Sequence, residues 1–167
     1  MFYSLGRNID EYVGCRVLFH LFYVNHFFYR HMASNNRAKT TRIVCISDTH
    51  SLHNFSLPRG DILVHAGDFT RTGTLNEVQA FLSYLESLTQ YRLKIIIAGN
   101  HDLTLEPDFY EKSWERLRGR WRHQYKENCQ QIRLLMLNPE LMYNKGIIYL
   151  EEEEFIDPVT GLKFYGR

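Results

Sequence analysis

Cysteine is scarce in this 167-residue chain: Cys15, Cys45 and Cys129 are far apart, odd in number and form no Cys-x-x-Cys pair. That argues against a disulfide scaffold or a thiolate zinc site and fits a reducing, cytoplasmic setting. Surplus charge is lacking too. Twenty Lys and Arg against 19 Asp and Glu leave a net charge of +1, so charge points neither to nucleic acid nor to an acidic substrate. Arg116, Arg118, Arg120 and Arg122 alternate instead of sharing one helix face, and acids nearby dilute them, so no nucleic-acid partner is expected. A bilayer-spanning run of ~20 apolar residues is missing. The nearest stretch, Val17 to Tyr29, is short, contains His20, Asn25 and His26, and is bordered by Arg16. Membrane association through residues 12–31 is therefore not expected. No small-x-small cleavage pattern follows it, which speaks against a signal peptide. Internal repeats are also absent.

What is present is the composition of one soluble globular domain, 44% apolar and 23% charged. It is unevenly spread. The first 31 residues hold nine of the 24 aromatics and three of the eight histidines, and Met32-Ala33-Ser34 resembles a translation start. Residues 1–40 are expected to be an aromatic-rich leader, either helical or no part of the functional protein, and 41–167 the domain proper.

From Arg42 onward the pattern is orderly. Ile43-Val44-Cys45-Ile46, Asp61 to Ala66 and Leu93 to Ala98 are short apolar runs, the mark of strands buried on both faces. Thr74-Leu75-Asn76-Glu77 has the form of a capping box, and Val78, Phe81, Leu82 and Leu85 recur at helical spacing behind it. Strand, strand, helix, strand predicts an α/β sheet. Further on, helices are expected over 107–117, with Phe109, Trp114 and Leu117 packing inward, and over 126–137, ended by Asn138-Pro139. Ile147 to Leu150 suits a strand, and Phe155 to Gly166 a hairpin around Asp157-Pro158-Val159-Thr160-Gly161. The acidic run Glu151 to Glu154 suits a solvated strand edge.

The chemistry-bearing residues follow the three apolar runs. They are Ser47-Asp48-Thr49-His50, Gly67-Asp68 and Gly99-Asn100-His101-Asp102. In open α/β sheets ligands collect beyond the carboxyl ends of the strands, where such loops converge. Asp48 and His50, two apart on extended backbone, would point to one side and grip one ion. Asp68 could bridge two ions, Asn100 could offer an amide oxygen to the second, and His101 beside it could donate a proton to a leaving oxygen. Mixed oxygen and nitrogen ligation suits Mn, Fe or Zn without distinguishing them, and paired ions suit displacement at phosphorus. Taken singly, Gly-Asp is an ordinary turn and Gly-Asn-His-Asp an ordinary cap; the weight lies in their joint occurrence, each behind a buried strand.

Ile46-Ser47-Asp48-Thr49-His50-Ser51, Gly60-Asp61-Ile62-Leu63-Val64-His65-Ala66-Gly67-Asp68-Phe69-Thr70 and Ile97-Ala98-Gly99-Asn100-His101-Asp102 resemble the calcineurin-like metallophosphoesterases, and most of all their metallophosphoesterase-domain-containing subgroup. The resemblance implies two stacked sheets flanked by helices and a dinuclear metal site. Within it Asp48 and His50 would be ligands of the first metal, Asp68 the bridge, Asn100 a ligand of the second, and His101 the catalytic histidine assisting the leaving group. The implied activity is hydrolysis of small phosphate esters, diester or monoester, with cyclic nucleotides among the candidates. Family members supply further histidines from a second half. Here only His123 follows His101, in a context that suits a surface position, while His53 suits a solvated loop and His65 a hydrogen-bonded core position. An incomplete version of the sandwich is therefore expected, holding one metal instead of two. The alternative is a non-catalytic fragment with weak single-metal binding or a protein-interaction role.

Overall fold

A computed structural model describes residues 28–31, 40–121 and 126–167. The strands are β1 (Phe28–His31), β2 (Arg42–Ile46), β3 (Ile62–Ala66), β4 (Leu93–Ile97), β5 (Ile147–Tyr149), β6 (Glu153–Ile156) and β7 (Lys163–Gly166). The helices are α1 (Leu75–Ser87), α2 (Pro107–Trp121), α3 (Cys129–Met136) and α4 (Pro139–Lys145). Strands β1 to β5 form one sheet in chain order, and β6 and β7 a second, two-stranded one. β2, β3, β4 and β5 run parallel, as buried apolar strands joined by longer crossovers should. Phe28–His31, inside the expected leader, pairs antiparallel with β2; most of that leader lies outside the described residues.

The parallel strands are apolar on both faces, and each face has its own cover. Val44, Ile46, Leu63, Ile96, Ile147 and Tyr149 pack with Val78, Phe81 and Leu85 of α1 and Ile132 and Met136 of α3. The alternate residues Ile62, Ile95 and Ile148 meet the second sheet through Phe155, Leu162 and Phe164. The result is helices, a parallel sheet and a small second sheet, the expected α/β arrangement in partial form. The hairpin is tied down by an ion pair. Arg92, at the entrance to β4, sends Nη1 and Nη2 to the two carboxylate oxygens of the fully buried Asp157 at 2.8 and 2.5 Å.

Helix α1 starts at the predicted capping box: Thr74 Oγ1 accepts from Glu77 N, and the Glu77 carboxylate accepts from Thr74 N. Two local expectations are corrected. Tyr110, not Phe109, enters the small core formed by Leu103, Leu117 and Cys129, because 110, 114 and 117 share one helix face and 109 is off that line. Asn138-Pro139 begins a helix as well as following one. Asn138 caps α4, and Pro139 occupies a first-turn position where its missing N–H costs nothing.

Candidate metal centre

The ladder register sets where the site loops emerge. Ile46 stands opposite His65, His65 opposite Ile96, and Ala66 opposite Ile97, so β2, β3 and β4 end at one level. Past these ends the loops stay joined. Asp48 N donates to Gly67 O at 3.1 Å, His50 N to Asp68 O at 3.0 Å, and Ser51 N to Phe69 O at 2.8 Å. This backbone is not extended, as the Asp48-x-His50 spacing had suggested. Asp48, His50 and Ser51 have φ of 55°, 44° and 62°, and Asp68 has 55°, left-handed values that non-glycine residues adopt only when neighbours hold them there.

The β3 and β4 loops meet almost backbone to backbone. A Cβ on Gly99 would lie 2.2 Å from Asp68 Oδ1 and 2.4 Å from Asp68 N. Only glycine lets Asp68 lie across the start of the Gly99-Asn100-His101 turn. His101 N then donates to Asp68 Oδ1 at 2.8 Å.

His50, Asp68 and His101 each bring one ligand-capable atom within 4.8 Å of the others. The two imidazoles meet edge to face with centroids 4.6 Å apart. Each has Nδ1 on a main-chain carbonyl, His50 on Thr70 O at 3.2 Å and His101 on Arg71 O at 2.8 Å. A carbonyl only accepts, so Nδ1 carries the hydrogen in both rings and the lone pair of the neutral ring belongs to Nε2. Two imidazoles and a carboxylate make a nitrogen and oxygen donor set that fits a divalent transition ion.

Of the residues expected at the site, His50 and Asp68 come together, and His101 joins them as a potential ligand. Asp48 is exposed on the same loop and outside that three-residue cluster. Asn100 is exposed in the turn after β4 and, with His101, lines a cavity of about 970 Å³ that continues past Phe109, Tyr149 and Glu151. His53 is half-buried instead of solvated and stacks on Tyr84 at 4.7 Å, with burial lowering its pKa. His123 lies outside the described residues.

Two carboxylates in the surrounding scaffold were not anticipated. Asp102, 2% exposed, accepts from Asp68 N, Gly99 N, Thr70 N and Thr70 Oγ1 at 2.7–2.9 Å, clamping the β3 loop to the β4 loop. Burial pushes its pKa up to about 6, with Asp68 adding to the rise and the Thr70 and Gly99 donors opposing it. Glu77 accepts from Ser51 Oγ at 3.0 Å and Arg71 N at 2.9 Å besides its helix cap. Burial works to raise its pKa, but donors from Thr74, Arg71 and Ser51 outweigh that and hold it below the ordinary carboxylate value. The sequence signal for Asp102 was its place directly after His101. For Glu77 it was the capping box, which explained the residue fully and hid its second task.

The calcineurin-like phosphoesterase family model matches residues 41–165. The chain belongs to that family. It is 38% identical over 137 residues to the human metallophosphoesterase domain-containing protein 1 and to its mouse counterpart, covering 75% of this chain and 36% of each relative. The nematode UPF0046 protein C25E10.12 of Caenorhabditis elegans is 38% identical over 128 residues, covering 75% of this chain and 40% of that protein. The chain thus spans well under half the length of these relatives. Among the described residues no helix is long and apolar enough to cross a membrane.

Proposed function

We propose that this chain carries part of the metal centre of a phosphoester hydrolase acting on small phosphate esters, with phosphodiesters, cyclic nucleotides included, as the first class to test. The observation behind this is the convergence of His50, Asp68 and His101 within 4.8 Å at the carboxyl ends of parallel strands. In this reading His50 and Asp68 hold metal, and Asp48 and Asn100, on the same loops, complete the ligand set. Bound divalent ions would polarise a phosphoryl oxygen and make water a competent nucleophile near neutral pH. His101 serves the leaving group. Its Nδ1–H stays on Arg71 O, so a protonated ring offers the Nε2 hydrogen to the departing alkoxide and returns to the tautomer its partner already selects. Asp102 and Glu77 keep the three loops in place.

Three clustered donors also favour a second reading, a single weakly held ion without turnover, since one transition ion is as much as they can satisfy. Titrating manganese into the purified chain and assaying bis-p-nitrophenyl phosphate separates the two. The hydrolase reading expects turnover that falls at least about 100-fold in Asp68→Asn. One bound ion without hydrolysis is the outcome of the second reading, and no manganese binding at all would defeat both.

A further inference from the structure

We infer that the buried histidine of β3, His65, acts through Thr49 as a positioning residue for His50, holding the first ligand loop in the conformation that a cation requires. The inference rests on the metal-centre reading above and adds to it a residue remote from the ligands.

Thr49 lies between Asp48 and His50, and it is the buried member of a loop whose other residues are exposed or half-exposed. Its Oγ1 is 2.9 Å from His65 Nε2, a buried hydrogen bond across 16 residues of chain. His65 is itself fully buried, set edge-on between Phe69 at 6.0 Å and Phe81 at 5.1 Å. Burial first, then the neighbouring His53 and His50, lower its pKa to about 3. The ring is therefore neutral near pH 7, and its link to Thr49 does not switch there. A histidine in a sheet core has a desolvation cost that Leu or Phe at the same place would avoid.

The second observation is the backbone on either side of Thr49. Asp48, His50 and Ser51 are all left-handed, and such a run relaxes unless something over-determines it. Main-chain bonds to Gly67, Asp68 and Phe69 fix the loop laterally. The Thr49–His65 bond fixes its depth, pinning it to the sheet from below. Rotation of the loop about its lateral bonds would carry the His50 ring away from Thr70 O and out of reach of Asp68.

The test compares Thr49→Val, which keeps shape and loses the hydroxyl, with Thr49→Ser, which keeps the hydroxyl. His65→Phe and the Thr49→Val/His65→Phe double variant accompany them. Manganese affinity is measured by calorimetry, and amide hydrogen exchange is followed at His50 and Ser51 in metal-free chain. Thr49→Val should bind manganese about 10-fold more weakly and exchange faster at both amides, with its thermal midpoint lowered by the few degrees that leaving the buried His65 Nε2 without its partner costs. Thr49→Ser should restore both readouts, and the double variant should be no worse than the weaker single one. Unchanged affinity and exchange in Thr49→Val would overturn the inference, as would losses that multiply in the double variant. Should His65→Phe fail to fold, the Thr49 pair decides alone. Should the unmodified chain bind no manganese, the functional reading falls, and the exchange data still accept or reject the positioning role.

Discussion

Replacing Gly99 by alanine adds one methyl group at the most crowded point of the site. The new Cβ would sit 2.2 Å from Asp68 Oδ1, 2.8 Å from Asp68 Cγ and 2.4 Å from Asp68 N. A carboxylate oxygen could swing aside, but Asp68 N is main chain, held by Asp102 Oδ2 at 2.9 Å. Widening 2.4 Å to an ordinary contact of roughly 3.4 Å means about 1 Å of separation between the β3 and β4 loops. Overpacking of that kind costs about 1–3 kcal/mol of stability. Because the displacement falls between Asp68 and His101, the effect on chemistry is larger: a 1 Å misplacement costs about 100-fold in rate. Urea unfolding at pH 7 should therefore show a lowered midpoint with an unchanged slope, and manganese calorimetry a sharp loss of affinity. An alanine variant that unfolds at the same urea concentration and binds manganese as before would show that the loops are not in contact, and the site geometry would have to be abandoned.

Other perturbations reach different parts of the molecule. Asp102→Ala strands three main-chain donors, from Asp68, Gly99 and Thr70, and should cost about 3–6 kcal/mol in urea unfolding at 1–2 kcal/mol for each orphaned group. A loss under 1 kcal/mol would mean that water replaces the carboxylate without penalty. Glu77→Ala removes the acceptor that ties Ser51 and Arg71 to the start of α1; about 2 kcal/mol of lost stability is expected, with faster exchange at Arg71 N. Asp157 governs acid behaviour. The Arg92 guanidinium, helped by Thr160 and Val159, outweighs burial and holds its carboxyl at about 2 instead of 3.8. The native state thus binds that proton less readily than the unfolded chain, so the group contributes about 2 kcal/mol above pH 4, lost as pH falls through 2. Asp157→Asn should lower stability at pH 7 by about that amount and flatten the acid limb between pH 4 and 2. An acid limb of unchanged steepness would assign the effect to other carboxylates.

The fold was legible where one interaction dominates. β2, β3 and β4 announced themselves because both faces are covered, leaving an uninterrupted apolar run, and α1 because Thr74 and Glu77 cap it within four residues. The α3–α4 break was harder, since Asn138-Pro139 is a stop signal by one rule and a start signal by another, and here it serves as both. At the site, residue types pointed to the chemistry but not to the conformation. The left-handed backbone at Asp48, His50 and Ser51 follows from bonds to Gly67, Asp68 and Phe69, partners about 18 residues away that no local pattern displays. The place of His101 among the potential ligands likewise depends on its ring being turned by Arg71 O, a main-chain atom without a sequence signature.

Alternation along the parallel strands carries a consequence beyond the two cores it fills. In β3, Leu63 and His65 face the helices while Ile62 and Val64 face the second sheet. Sliding β3 by a single residue against β2 would exchange those populations, setting an imidazole against the hairpin. It would also carry Asp68 about 3.3 Å along the strand axis, well away from His50. One alignment thus satisfies the greasy interior and the chelating rim together. Selection for a tightly filled interior is, in this molecule, selection for the distance between His50 and Asp68.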